Sequence, residues 1–253
     1  SELYNISLKN CLTSFGYGRK KYDLQEGSMI FMAPGQTIEI EKHEHTPDYS
    51  GWSLYFHPDL LRGTALAEKM NKYSFFSYDV NEALHTSDQE KKTLTSIVNE
   101  IRNEFSNNID KYTHELIISN IELILNYSKR FYGRQFITRS IHDKDIITKF
   151  ETYLIDYFNS EDLKTKGIPT VKSCAEYVNL SSNYFSDLLK KETGKNTQEH
   201  IHYYLLEKAK NLLLSSELTV NEIAHVLGFE YPQYFSRLFK KKVGLSPTMF
   251  RVS

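Results

Sequence analysis

The sequence predicts an α+β chain: a small β domain, a helical hairpin, and an all-α domain carrying two helix-turn-helix units joined by a linker helix. Three observations predict it. Short strand-like runs broken by turns fill residues 1–58. Two long stretches with helical periodicity follow. In the last third, a pair of short helices around a tight turn occurs twice, fifty residues apart.

The strands come first. Tyr4, Ile6 and Leu8 alternate with Asn5 and Ser7, the period of a half-buried strand. Residues 28–32 form a short apolar run after Glu26 and Gly27, and Ala33, Pro34, Gly35 and Gln36 make a turn. Residues 37–41 alternate again, and residues 51–56 give a further strand. Short strands at this spacing predict a small, partial barrel or jelly roll over residues 1–80. Met29, Phe31, Met32 and Trp52 read as its core rather than as a ligand pocket. His43 and His45 flank Glu44 as a metal-like cluster. They lie in a very polar stretch, so they read as a solvated loop, and neither a metal nor a catalytic residue is expected. A metal-dependent enzyme resting on His43 and His45 is the rival reading.

Residues 81–135 predict a helical hairpin. Leu94, Ile97, Val98 and Ile101 share one face of its first helix. In its second helix Ile117, Ile121, Ile124, Ser128 and Phe131 step by 4, 3, 4, 3, the seam of a helix pair. Leu116, Asn120, Leu123 and Tyr127 form a second row beside it. Either row could pack inside its own domain. The favoured reading is a homodimer through Leu116, Ile117, Asn120, Ile121, Leu123, Ile124 and Tyr127, with Asn120 setting register. Residues 136–145 lack a hydrophobic face and read as a linker. Ile146, Phe150, Tyr153, Leu154 and Tyr157 open the last domain, residues 146–253, and residues 159–167 read as a polar loop.

The densest signal lies at residues 219–251. Thr219 and Glu222 have capping-box spacing, and Val220, Ile223, Ala224 and Leu227 form one helical face. Gly228 stops this helix, and Pro232 starts the next in its first turn. Phe235, Leu238 and Phe239 form a buried face, opposed by Gln233, Ser236, Arg237, Lys240 and Lys241. Upstream, Tyr184, Phe185, Ser186, Leu188, Lys190, Lys191 and Gly194 line up with Tyr234, Phe235, Ser236, Leu238, Lys240, Lys241 and Gly244. Val171, Cys174, Ala175 and Val178 supply the preceding helix, and the turn at residues 179–182 is one residue shorter. Ile201, Tyr204, Leu205, Ala209, Leu212 and Leu213 trace a helix between the copies. Two such units on a rigid spacer suit successive major grooves of double-stranded DNA, roughly 34 Å apart.

Ile223, Ala224, Gly228, Phe229, Tyr234 to Arg237, Phe239 to Lys241, Gly244, Ser246 and Pro247 together resemble the C-terminal signature of the AraC/XylS-type transcriptional regulators. The resemblance covers residues 145–253 closely and the sequence ahead of it more weakly. It implies a seven-helix DNA-binding domain behind a cupin-like sensing and dimerisation domain. It also implies a cytoplasmic bacterial protein with no cofactor, with a small-molecule effector and RNA polymerase as further partners. On the matching positions, the DNA-facing residues are Asn183, Ser186, Asp187, Lys190 and Lys191 in the first unit. In the second they are Gln233, Ser236, Arg237, Lys240 and Lys241. Asp187 departs from the pattern, since many members carry a basic residue there. An acid facing the groove is repelled by phosphates and puts base reading by the first unit in doubt.

Bulk composition adds little. The net charge is −1, and residues 136–253 carry 16 Lys+Arg against 14 Asp+Glu, so the argument for DNA rests on local lysine clusters. Cys11 and Cys174 have no metal-like spacing and suit a reducing compartment. No apolar run is long enough to span a bilayer.

Overall fold

The computed structural model describes residues 2–9, 13–17, 20–24, 27–36, 51–79, 82–106, 109–138 and 140–252. The chain divides into two compact units, Ser1–Ser140 and Ile141–Ser253.

The first unit holds β1 (Tyr4–Lys9), β2 (Thr13–Tyr17), β3 (Lys20–Leu24), β4 (Ser28–Met32), β5 (Gly51–Phe56) and β6 (Leu84–His85). One antiparallel sheet has the order β5-β1-β4-β6, and β2-β3 forms a separate hairpin. In β1 Ile6 and Leu8 are buried with Ser7 between them, and they pair with Phe31 and Met29 of β4. Trp52 Nε1 donates to Thr95 Oγ1 (3.1 Å), tying β5 to α2 (Asp88–Ser106). Beside α2 packs α3 (Thr113–Thr138), whose Arg134 makes a two-toothed contact with Glu90 (2.8 and 3.0 Å) and donates to the His85 carbonyl. Short helical turns at Pro58–Leu61, Met70–Lys72 and Ser74–Ser77, with α1 (Ala65–Lys69), connect sheet to helices. Phe31, Phe75, Phe76 and Tyr132 make an aromatic layer between β4 and α3.

Several expectations are corrected. Among the described residues the sheet expected as a partial barrel is open. Sheet and hairpin belong to one compact unit rather than dividing at residue 80. The first long helix begins at Asp88, after strand β6, because Leu84 and His85 pair with Met29 and Ser28. The linker expected at 136–145 is helical at 136–138 and again from Ser140, in α4 (Ser140–Asn159). Residues 37–41, Cys11, and the pair His43 and His45 lie outside the described residues. Met29 and Phe31 are core; with Met32, Gln36, Tyr78 and Tyr132 they border a cavity of about 20 Å³, room for one water.

The heptad seam is also accounted for. Ile121 and Ile124 are fully buried and Ile117 nearly so, inside their own unit, which corrects their place in a dimer interface; Ser128 of the same seam is buried there too. Asn120 Nδ2 donates to the Leu116 carbonyl of its own helix (3.0 Å). In the second row Leu116 and Leu123 are exposed and Tyr127 is half-buried.

The second unit is all helical: α4, α5 (Asp162–Lys166), α6 (Val171–Tyr177), α7 (Ser182–Thr193), α8 (Thr197–Ser215), α9 (Val220–Val226), α10 (Pro232–Val243) and α11 (Pro247–Arg251). The five-residue α5 replaces the polar loop read at 159–167 and adds one segment to the seven implied. It forms because Leu163 is buried in the core while its neighbours stay in water. One core joins both helix pairs: Phe150 and Leu154 of α4, Cys174 of α6, Phe185 and Leu189 of α7, Ile201 and Leu205 of α8, Ile223 of α9, Phe235 and Phe239 of α10. Burial pushes the Cys174 thiol up to about 12, so it is packing material, not a nucleophile. The chain end is tied down by Arg251, which donates to the carbonyls of Leu213 (3.0 Å) and Leu218 (2.6 Å).

Candidate nucleic-acid interface

The two helix pairs repeat atom by atom at their turns. In α9 the Thr219 hydroxyl accepts from Glu222 N–H (3.2 Å), and the Glu222 carboxylate accepts from Thr219 N–H (2.7 Å). In α6 the same box is closed by Thr170 and Ser173. These bonds satisfy backbone donors that a helix start leaves open. After α9, Gly228 takes φ +79°, Gly228 N–H donates to His225 O and Phe229 N–H to Ala224 O. After α6, Asn179 takes φ +59°, and its N–H and that of Leu180 reach Glu176 O and Ala175 O in the same way. Asparagine is the L residue that tolerates this conformation best. The shorter turn then places Ser181 at the start of α7, where its hydroxyl caps Tyr184 N–H (3.3 Å). In the second unit Tyr231 precedes Pro232. Both second helices end on a left-handed glycine, Gly194 and Gly244.

Identical scaffolding carries different surfaces. On α10, Phe235 and Phe239 are buried, and Gln233, Arg237, Lys240 and Lys241 are exposed together with Lys242; Ser236 is half-buried. On α7, Asn183, Lys190 and Lys191 are exposed, but Ser186 and Asp187 are half-buried. Ser186 Oγ lies 2.9 Å from Thr197 Oγ1 at the buried start of α8. None of the exposed lysines of α7 and α10 enters an ion pair among the described residues. Their charge therefore faces water. On α8, burial first and then the charges of Lys242 and Lys241 hold the His202 imidazole below its usual value, so the α10 lysines stand near this ring.

Two residues were missed in the sequence. Tyr231 and Tyr234 are about half exposed, at 48% and 52%, beside the basic face. Tyr184, the counterpart of Tyr234, is 3% exposed. The signal available was spacing: Tyr234 stands three residues before Arg237, on the same side of the helix.

Among the described residues no group of three or more His, Cys, Asp or Glu could hold a metal ion, and no described helix is long and apolar enough to cross a membrane. What the site offers is a helix anchored by two phenylalanines and presenting five basic or amide side chains to solvent. Two family profiles match the chain: a helix-turn-helix domain at residues 174–253 and an AraC-like ligand binding domain at residues 13–108. Among curated proteins, the HTH-type transcriptional regulator YfiF of Bacillus subtilis is 32% identical over 139 residues, 55% of this chain and 41% of that protein. The lactose operon transcription activator of Staphylococcus xylosus is 22% identical over 238 residues, 94% of this chain and 79% of that protein. The solved C-terminal domain of AraT, a response regulator from Geobacillus stearothermophilus, is 36% identical. It covers 42% of this chain and 83% of that one, with a TM-score of 0.37. The chain spans less than half the length of the first relatives it matches. With the ligand-binding profile on the first half and the helix-turn-helix profile on the second, the chain carries an AraC-like ligand-binding domain and an AraC-type helix-turn-helix domain, and its curated relatives are transcriptional regulators.

Proposed function

We propose that this chain is a sequence-specific regulator of transcription that binds double-stranded DNA through both helix pairs of its second unit. The observation that carries the reading is α10: a buried Phe235–Phe239 stripe backed by exposed Gln233, Arg237, Lys240 and Lys241. Arginine and glutamine make paired contacts to guanine and adenine edges, whereas lysines favour phosphates. We assign base reading to Arg237 and Gln233, and backbone contact to Lys240 and Lys241. In the first helix pair Asn183 keeps the capacity to read an adenine edge. Lys190 and Lys191 hold phosphates, while Ser186 is engaged by Thr197 and Asp187 is half-buried. The second helix pair is thus the stronger reader.

The first unit is the sensing module in this reading. Its antiparallel sheet and the match to an AraC-like ligand binding domain support a cupin-like fold that takes a small-molecule effector. An effector acts as a switch only by favouring one of two arrangements. The exposed Leu116 and Leu123, with Asn120 and Tyr127 beside them, are the surface left for a homodimer. A cytoplasmic location and a contact with RNA polymerase follow from the same role.

The test is selection of bound duplexes from a random pool at near-physiological salt. A strong element with a weaker one about a helical turn away, roughly 10 base pairs, is the expected result. Binding without any sequence enrichment, with or without candidate effectors, would defeat the proposal.

A further inference from the structure

The Tyr234 ring lies beneath the Arg237 guanidinium, whose carbon is 5.9 Å from the ring centroid. The Tyr231 ring meets Tyr234 edge to face, at 5.8 Å between centroids and 86° between planes. All three side chains are exposed. The fold has little use for the two rings. Phe235 and Phe239 fill the core on the other side of the helix, and Tyr231 makes no side-chain cap at the start of α10. Arg237 enters no ion pair among the described residues, so the ring is the partner that orients it. The first helix pair lacks the device altogether: Tyr184 is buried, and Asp187 stands where Arg237 does.

A free arginine on a helix surface samples many rotamers, and ordering it on binding costs affinity. A guanidinium resting on an aromatic face is planar, partly desolvated and held before the ligand arrives. We infer that Tyr234, buttressed by Tyr231, is a positioning residue that holds the Arg237 guanidinium in its base-reading geometry and thereby sets sequence selectivity at that base pair. The inference rests on the proposal that α10 reads DNA. Because the ring acts through Arg237, it acts on selectivity at one position, not on phosphate-driven affinity. It also acts through its aromatic face, not its hydroxyl.

The experiment uses the full chain and its selected duplex, with the base pair read by Arg237 located first by Arg237→Ala. Affinities of the parent, Tyr234→Leu and Tyr234→Phe are then measured for the four base pairs at that position and for an unrelated duplex. Tyr234→Leu should lose about three- to fivefold of the discrimination at that position while binding the unrelated duplex as the parent does. Tyr234→Phe should keep parental discrimination. Equal losses in Leu and Phe variants would assign the effect to the hydroxyl and overturn the inference. So would a loss spread evenly over all sequences. If Arg237→Ala relaxes no position, the reading of α10 itself falls, and that failure is seen before any tyrosine variant is interpreted. Tyr234 is half exposed, so both variants fold, and a melting curve verifies it.

Discussion

Gly228→Ala should cripple the second unit far more than an exposed turn substitution ordinarily does. Gly228 has φ +79°, where an L residue costs about 1–2 kcal/mol. Space is the larger obstacle. A Cβ there would stand 2.6 Å from the Leu163 carbonyl oxygen and 3.0 Å from Gly167 Cα. Both obstacles are backbone, and neither is free to retreat. Leu163 is buried in the core, and the Gly167 carbonyl accepts from the Tyr157 hydroxyl at 2.9 Å. Forcing a methyl into such a contact costs a further ~1–3 kcal/mol. A total near 2–5 kcal/mol corresponds to a melting temperature lower by about 10 °C or more for a unit of this size. Far-UV circular dichroism follows the helices of both units, and the part of its transition that does not coincide with the fluorescence change reports the second. Fluorescence of Trp52, the chain's single tryptophan, follows the first. The dichroism transition should move and the fluorescence transition should stay. Asn179→Ala is the control, since φ +59° at that position already accommodates a Cβ, and it should cost about 1 kcal/mol. A Gly228→Ala protein within 0.5 kcal/mol of the parent, or no worse than Asn179→Ala, would refute the close-approach argument.

Three further outcomes are expected. Lys240→Ala combined with Lys241→Ala should weaken binding to every duplex alike and flatten the slope of log affinity against log salt by about 0.9 per lysine; an unchanged slope would remove both from the phosphate contacts. Leu123→Asp should shift a sedimenting dimer toward monomer without lowering the melting temperature, because Leu123 is 43% exposed, whereas Ile121→Ala should cost about 2–5 kcal/mol of stability from inside the core. A parent chain that sediments as a monomer at tens of micromolar would count against the dimer. Stability should fall on acidification through His200, whose imidazole is held below its usual 6.5 chiefly by burial while bonding Thr193 Oγ1 at 2.9 Å. The unfolded chain then takes up a proton that the folded one refuses. The contribution is therefore whole above 6.5 and lost as pH falls toward the lowered folded value. Melts at pH 7.5 and 5.5 compared with His200→Asn would show a flatter dependence in the variant, and greater stability of the parent in acid would contradict the assignment.

The second unit was legible because its structure is written in local chemistry. Thr219 with Glu222, Gly228, Pro232 and Gly244 fix helix ends through backbone bonds only a few residues long, and the apolar spacing says which side is inward. What was illegible there depends on groups distant in sequence or alone in their context. Leu163 is one apolar residue in a polar run, too little to announce α5, and it becomes helical because the core offers it a place. The Ser186 hydroxyl has the right phase for the groove, but Thr197, eleven residues on, engages it. The first unit shows the same limit on a larger scale. A 4, 3, 4, 3 step reveals that Ile117, Ile121 and Ile124 share a face and says nothing about what covers that face. The cover is their own unit, with α2 packed alongside. Sheet order depends on long-range pairing, so the two-residue strand at Leu84 and His85, recruited by Ser28 and Met29, left no periodic trace.

The duplicated turns also show why resemblance between two segments does not transfer a role. Tyr184 and Tyr234 occupy the same third helical position, each just before a fully buried phenylalanine, yet one is 3% and the other 52% exposed. Helical phase is therefore identical and cannot be the cause; the neighbours packed around each copy decide. Phe185 of the first copy packs edge to face on Phe150 of α4, whereas Phe235 of the second packs on Phe229 and Phe239 from its own neighbourhood. The copy joined to α4 spends its aromatic residues on the core of the unit. The copy near the chain end has its aromatic surface left over, next to an arginine. The selectivity proposed for α10 would then follow from where each copy sits in the packing, and exchanging Asp187 for arginine alone should not turn α7 into an equal reader, because Tyr184, the ring that would orient the new guanidinium, is buried there.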